Sequence, residues 1–152
     1  MQRLLRICQE IEQTVADIYR HWETVFSDQE SLSRLWGQMA DDELDHVRQI
    51  QLAQRVANEQ VFGEQKISIN LLEEALAKAK QLLKEVRERD VSAEKALKTA
   101  IKIEEYFSKA HLSNALEVTD KSLMTMFNSL ARADDQHVES LRNYYDSVFG
   151  DK

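Results

Sequence analysis

The sequence predicts an all-α protein, a bundle of four long helices with a shorter helix between the second and the third. The 152 residues include no proline and only three glycines, and these two residue types are the strongest helix breakers. Apolar residues recur three and four positions apart through most of the chain, which is the spacing of one helix face. A chain of this length can be organised around one core, so we expect a single domain over residues 1–152.

The first two helices are defined by long apolar stripes. The first stripe runs from Leu4 to Phe26. The segment Ser27-Asp28-Gln29-Glu30 has the form of a capping box, so a second helix is expected to begin close to it. Its stripe runs from Leu32 to Ala57, and Gly63 marks the expected end of that helix.

The remaining three helices are separated by polar breaks. Ser68 is placed to cap the shorter third helix, which the charged residues 87–90 close. Ser92 is the expected N-cap of the fourth helix. A polar break at Thr119 and Asp120 precedes the fifth, whose stripe runs on through residues 123–148.

Charge and cysteine content exclude several classes of protein. The net charge is −7 and no basic stripe is present, so a nucleic-acid partner is not expected. Cys8 is the only cysteine, which excludes an intramolecular disulfide and a four-cysteine metal site. No apolar run approaches the roughly 20 residues of a membrane span, and the N-terminus does not have the pattern of a signal peptide. A soluble cytoplasmic protein without a membrane partner is expected.

The most informative residues are polar ones that interrupt the apolar stripes. Each long helix places one carboxylate on its apolar face, and two of the helices add a histidine three residues later. In chain order, these residues are Glu12, Glu43, His46, Glu104, Asp134 and His137. Burying four carboxylates together is costly unless cations compensate their charge. Oxygen and imidazole ligands suit iron or manganese, so these six residues are candidate ligands of two divalent ions.

A purely structural interpretation competes with this one. A single acid on a core-facing stripe often extends to solvent or pairs with an arginine. With 27 acids in the chain, one acid-x-x-His pair by chance is unremarkable. A core-facing acid on all four long helices, with a histidine three residues later on two of them, is much harder to explain in that way.

An internal repeat supports the same six residues. Residues 39–46 align with residues 130–137, and residues 12–19 align with residues 104–111. The separation between the acids is 31 positions in the first half (43 − 12) and 30 in the second (134 − 104). Two such helical hairpins, packed about a pseudo-twofold axis, would bring the six side chains together. The alignment also selects Glu104 over Glu105 and Asp134 over Asp135.

With these motifs the chain resembles the rubrerythrin branch of the ferritin-like superfamily. Sites of this kind take one Glu from each of two helices and a Glu-x-x-His motif from each of the other two. The segment at residues 70–89 is similar to the crossover segment of that family. The motifs that carry the resemblance are Glu12…Ile18-Tyr19, Met39-Ala40-x-x-Glu43-x-x-His46, Ala100-Ile101-x-x-Glu104 and Leu130-Ala131-x-x-Asp134-x-x-His137.

The resemblance implies a ferritin-like four-helix bundle that holds two iron ions, with manganese or zinc as alternatives. Glu43 and Glu104 would then be the bridging carboxylates, and His46 and His137 would each bind one metal. Glu12 and Asp134 would be terminal or bridging ligands.

Three departures from the family pattern qualify the implied chemistry. Asp134 stands where the family usually has Glu, and Phe107 stands where typical rubrerythrins carry an extra Glu. The chain also lacks the Cys-x-x-Cys pairs of a rubredoxin domain. The first two weigh against typical peroxidase chemistry, and the third weighs against a self-contained path for electrons.

Tyr19 and His111 occupy equivalent positions in the repeat. Each lies seven residues beyond its acid, or about 10 Å along a straight helix, which is too far for direct ligation of the same metal. They are candidates for hydrogen bonds to the ligands or for proton transfer. A core aromatic and a satisfied core histidine are the alternatives, and Trp22 and Trp36 are expected to be core anchors.

Three functions fit these observations. The first is a di-iron oxidoreductase acting on peroxide or oxygen, expected as a homodimer and served by an external electron donor such as a rubredoxin. The second is ferritin-like iron oxidation and storage, which needs a large closed assembly. The third is a metal-free helical module that binds a partner protein.

Overall fold

The computed structural model describes residues 1–58 and 69–150, and it is all-helical over these residues. The described part contains α1 (Gln2–Val25), α2 (Glu30–Asn58), α3 (Ile69–Glu88), α4 (Ala93–Glu117) and α5 (Lys121–Phe149). The all-α prediction is confirmed. Gly63 and Ser68, the predicted boundary residues between the second and third helices, lie outside the described residues.

The chain divides into two compact units, Met1–Asp90 and Val91–Lys152. The first contains α1, α2 and α3, and the second contains α4 and α5. The boundary falls in the polar segment between α3 and α4. The expectation of one domain over residues 1–152 stays a prediction.

In the first unit, α1 packs along α2 to form the first hairpin, and α3 packs against α1. The apolar stripes of the hairpin are buried, with Leu5, Ile18 and Trp22 from α1 and Trp36 and Ile50 from α2 almost fully enclosed. Ion pairs on the surface join the helices but add little stability because their side chains remain solvated. They pair Arg20 with Asp41, Arg3 with Glu73, and Lys80 with Glu10.

In the second unit, α4 and α5 pack against each other and form the second hairpin. The Ser92 hydroxyl oxygen accepts a hydrogen bond from the Lys95 backbone N–H at 3.1 Å, so the predicted N-cap of α4 is confirmed. Asp120 caps α5 in the same way, through the Leu123 N–H at 3.0 Å. Each cap satisfies one of the backbone donors that a helix leaves unpaired at its start.

Among the helices that the structure describes, none combines the length and the apolar character needed to cross a membrane.

Candidate metal centre

All six predicted ligands are buried. The exposed fractions of Glu12, Glu43, His46, Glu104, Asp134 and His137 lie between 1% and 7%. Neighbouring acids are more accessible, with Glu10 and Glu105 half-buried and Asp135 exposed. The helical phase read from the sequence therefore matches the side-chain burial, while metal binding by these residues stays a prediction.

In the first hairpin, three buried side chains converge to form the first triad: Glu12 from α1, with Glu43 and His46 from α2. The Nδ1 atom of His46 lies 3.4 Å from Oε2 of Glu12 and 3.2 Å from Oε2 of Glu43. Each residue offers one ligand atom, and these atoms lie within 4.8 Å of one another. The i, i+3 spacing places Glu43 and His46 on one face of α2, opposite Glu12 on α1.

The distances in the first triad fit a shared metal ion. A neutral ring Nδ1 carries either one hydrogen or one lone pair, so it cannot serve both carboxylates equally well. Ligand nitrogen and oxygen atoms lie about 2.0–2.2 Å from an ion such as zinc, which sets them about 3.0–3.4 Å apart at octahedral to tetrahedral angles. The observed separations of 3.2 and 3.4 Å lie in this range. Two carboxylates and one imidazole are also a donor set that iron or manganese accepts.

The second hairpin repeats the arrangement as the second triad: Glu104 from α4, with Asp134 and His137 from α5. The Nδ1 atom of His137 lies 3.3 Å from Oε1 of Glu104, which matches the His46–Glu12 contact of the first hairpin. One ligand atom from each of these three residues lies within 4.8 Å of the other two. The sequence repeat is thus a repeat of local geometry in the two hairpins.

The two triads differ at the acid that precedes the histidine. In the second hairpin the shorter Asp134 contacts His111, whose Nε2 lies 3.5 Å from Oδ2 of Asp134. His111 is itself buried and stacks on Phe127, with ring centroids 6.3 Å apart. His111 therefore lies beside a predicted ligand, in the position expected of a residue that orients it or carries its proton.

Tyr19, the counterpart of His111, lies in an aromatic cluster. Its ring stacks on Trp36 with centroids 5.6 Å apart and an interplanar angle of 19°, and it lies 6.1 Å from the ring of Trp22. The two indoles are 4.8 Å apart. All three side chains are buried, as the core interpretation of the two tryptophans predicted.

The sequence held a signal for this cluster that the motif analysis missed. In two antiparallel helices, residues at one level have position numbers with a constant sum. Glu12 and Glu43 sum to 55, and so do Tyr19 and Trp36 (12 + 43 and 19 + 36). The same register that pairs the two acids therefore pairs the two rings, two helical turns nearer the α1–α2 turn.

Cys8 lies on the same face of α1, one turn before Glu12, and is fully buried. Burial, with a smaller contribution from the negative charge of Glu12, raises the pKa of its thiol to about 12. The thiolate is the form that binds metals and reacts, so the thiol acts as a small apolar group at neutral pH.

No protein-family model matches the chain, and no curated protein or solved structure is significantly similar to it. The resemblance to the rubrerythrin branch therefore rests on the motifs and on the geometry of the two hairpins, and membership of that family stays a prediction.

Proposed function

We propose that this protein is a non-haem di-iron oxidoreductase that reduces peroxide or oxygen, with a ferritin-like four-helix bundle in which α3 is the crossover helix. The observation that carries the proposal is the repetition of one buried ligand set. Each hairpin holds one acid from its first helix and an acid and a histidine from its second, with the same histidine Nδ1 facing the same acid at 3.3–3.4 Å.

The burial of these groups argues for bound cations. Removing ionised carboxylates from water costs several kcal/mol each unless an opposite charge compensates them. The first triad offers two carboxylates and one imidazole, and so does the second. Two divalent ions per chain would balance the four carboxylate charges, leaving the two imidazoles as neutral ligands.

Two ferrous ions would supply the two electrons needed to break an O–O bond. The four carboxylates would still hold the two ions when oxidation raises the charge of the iron. His46 and His137 would each bind one ion. His111 contacts Asp134 at 3.5 Å and can hold a proton beside that carboxylate. Reduction of hydrogen peroxide to two waters consumes two protons, so a histidine at this position suits the reaction.

Phe107 follows Glu104 of the second triad along α4. It is buried one turn after Glu104 on α4, where typical rubrerythrins would carry another acid. The apolar ring adds no ligand, so the site has fewer carboxylates than is usual in that family. Turnover also needs electrons from outside, because the single cysteine of the chain is buried and cannot form a rubredoxin-type centre.

The test is a peroxide titration of protein loaded with ferrous iron under anaerobic conditions and then freed of reductant. We expect the iron to be oxidised by about one peroxide for every two irons and consumption then to stop, because each peroxide takes up two electrons. Supplying a reduced rubredoxin should restart it. Sustained consumption without a donor would contradict the proposal and indicate disproportionation of peroxide.

Size-exclusion chromatography of the same sample separates this proposal from iron storage. A homodimer is expected for the oxidoreductase, whereas a large closed shell that accumulates iron beyond the two ions per chain would contradict it. Protein that binds no metal under these conditions would instead support a helical module that acts by binding a partner.

A further inference from the structure

The buried face of α4 carries polar side chains that are not among the predicted ligands. Ten polar or charged residues are buried in the described part of the chain; six of them are the predicted ligands, which leaves four (10 − 6). Three of these four lie on α4, beyond Glu104: Ser108, His111 and Asn114. Because a buried polar group is costly unless it is hydrogen-bonded, the partner of each of the three is informative.

Asn114 is the member of this set whose needs the protein does not meet. The Ser108 hydroxyl donates to Oδ1 of Asp135 at 2.6 Å, and His111 lies 3.5 Å from Asp134. Asn114 is only 6% exposed, yet its enclosed Nδ2 atom has no hydrogen-bond partner in the described part of the chain. A buried amide N–H of this kind requires an acceptor, and a polar molecule of about the size of water can supply one.

Asn114 and His111 form a series between the end of α4 and the second triad. The helix ends at Glu117, three residues beyond Asn114. Asn114 lies three residues beyond His111 and ten beyond Glu104, or about 4.5 Å and about 15 Å along a straight helix. Because the His111 ring contacts Asp134, the two polar side chains lead from the α4–α5 connection to a predicted ligand.

The first hairpin is filled by larger side chains at the equivalent positions. Extending the repeat alignment gives three pairs: Tyr19 with His111, Trp22 with Asn114, and Trp36 with Phe127. In every pair the residue of the first hairpin is the larger one. The three rings of the first hairpin have centroids 4.8–6.1 Å apart and are at most 1% exposed. The first hairpin is therefore closed by packed rings at the level where the second carries an imidazole and an amide.

We propose that hydrogen peroxide reaches the second triad along α4, by a polar route that enters at the α4–α5 connection and passes Asn114 and then His111. This inference rests on the proposed function, since the route serves an iron-loaded oxidoreductase. The Asn114 Nδ2–H donates to a peroxide oxygen during entry. Asn114 lies about 15 Å along the helix from Glu104, so it guides the substrate and does not contact the reacting atoms.

The chemistry of the route specifies the class of substrate. Hydrogen peroxide is little larger than water, and both of its oxygens donate and accept hydrogen bonds, so the amide of Asn114 and the imidazole of His111 can replace part of its hydration. An alkyl hydroperoxide is bulkier and would place hydrocarbon against these polar groups. A small hydrophilic peroxide is therefore the expected substrate, in preference to an organic hydroperoxide.

The first measurement needs no metal. NMR of metal-free protein follows the exchange of side-chain N–H protons with water, and each rate is expressed relative to the intrinsic rate of its group. The Trp22 and Trp36 indole N–H groups are internal controls, because they are also buried without a partner among the described residues. We expect the Asn114 amide to be protected at least about tenfold less than the indoles, since water enters the route. Equal protection would overturn the route.

The second measurement is the rate of iron oxidation after ferrous-loaded protein is mixed with hydrogen peroxide in a stopped-flow instrument. Asn114→Leu keeps a similar volume but removes the amide, and we expect the second-order rate constant to fall about tenfold or more. Asn114→Ser retains a hydrogen-bonding group and should remain within about threefold of the unsubstituted protein. Trp22→Phe, at the equivalent position of the first hairpin, is the matched control and should leave the rate constant unchanged.

A comparison of two peroxides distinguishes a route from a general effect on the iron site. Asn114→Ala widens the route, so the rate constant for tert-butyl hydroperoxide should rise relative to that for hydrogen peroxide. A purely structural role of Asn114 would change both rate constants by the same factor. Circular dichroism and iron content establish that each variant is folded and loaded.

The outcomes separate the route from the proposed function. Iron-loaded Asn114→Leu that reacts with hydrogen peroxide as fast as the unsubstituted protein would overturn the route and leave the oxidoreductase proposal standing. If Asn114→Leu fails to fold, the exchange measurement on the unsubstituted protein still decides. A chain that binds no iron, or binds iron that peroxide does not oxidise, would overturn both.

Discussion

At the scale of single residues, Glu43 shows how much of the site can be predicted from the sequence. Helical phase alone distinguishes Glu43 and Glu104, which are buried, from Glu10 and Glu105, which contact solvent. The His111–Asp134 contact at 3.5 Å was not predictable in the same way. It depends on the rotamers of both side chains, which a sequence pattern does not specify.

We expect Glu43→Gln to lose at least about 90% of the iron bound by wild-type protein, because the amide removes one of the two carboxylate charges of the first triad. Glu10→Gln and Glu105→Gln are the matched controls, since their side chains pair on the surface with Lys80 and Arg142. Both should retain wild-type iron content by elemental analysis. Equal loss in all three variants would show that the assignment of Glu43 to the ligand face, and of Glu10 and Glu105 to the surface, is wrong.

The Cys8 thiol has a pH dependence whose sign follows from its environment. Burial raises its pKa from 9.0 to about 12, so the unfolded chain loses this proton at a lower pH than the folded chain does. The stability that the protonated thiol contributes is fully present below pH 9.0, declines above it and is lost as the pH passes about 12.

Denaturant unfolding of metal-free protein at pH 8 and pH 10 is the measurement. Wild type should lose more stability between these values than Cys8→Ala does, and its thiol should react with Ellman's reagent at pH 8 only after unfolding. Rapid reaction of the native thiol at pH 8 would show that Cys8 is accessible.

At the scale of helices, polar signals at the ends made most of the boundaries predictable. The predicted N-cap Ser92 is confirmed. The predicted polar break at Asp120 precedes α5, and the structure adds that Asp120 caps this helix. The second helix begins at Glu30, the last residue of the capping-box motif, because residues 26–28 form the turn that follows α1. The exact first residue of a helix is harder to predict, since the sequence motif is compatible with a start one or two residues earlier.

The cap of α5 gives a prediction at this scale. Asp120 accepts a hydrogen bond from the Leu123 N–H at 3.0 Å, and replacing a capping residue with alanine typically costs about 1 kcal/mol. Asp120→Ala should therefore lower the free energy of unfolding by about 0.5–2 kcal/mol in denaturant titrations. Asp120→Asn retains a capping oxygen and should remain close to wild type; an equal loss in both variants would assign the effect to charge instead.

At the scale of the whole molecule, the repeat was the strongest sequence signal. It predicted two hairpins with equivalent acids, and each hairpin shows its own triad. The difference between the hairpins was less visible, because the repeat alignment treats Tyr19 and His111 simply as equivalent positions. Their contrasting surroundings, two indoles in one case and a carboxylate in the other, arise from packing between helices.

Iron should raise the thermal stability of the chain. A ligand that binds only the folded state adds about 2.7 kcal/mol to the free energy of unfolding for each site when its free concentration is 100 times the dissociation constant. Compensation of the charges of the buried carboxylates acts in the same direction. Calorimetry of iron-loaded and metal-free protein is the measurement, and identical melting temperatures would contradict filled sites.

The most direct test of the account is the iron content of the chain. Protein prepared without chelator is loaded anaerobically with ferrous iron, passed over a desalting column and analysed for iron and protein. Two triads predict about two irons per chain. Loaded protein that emerges without iron would contradict the central claim.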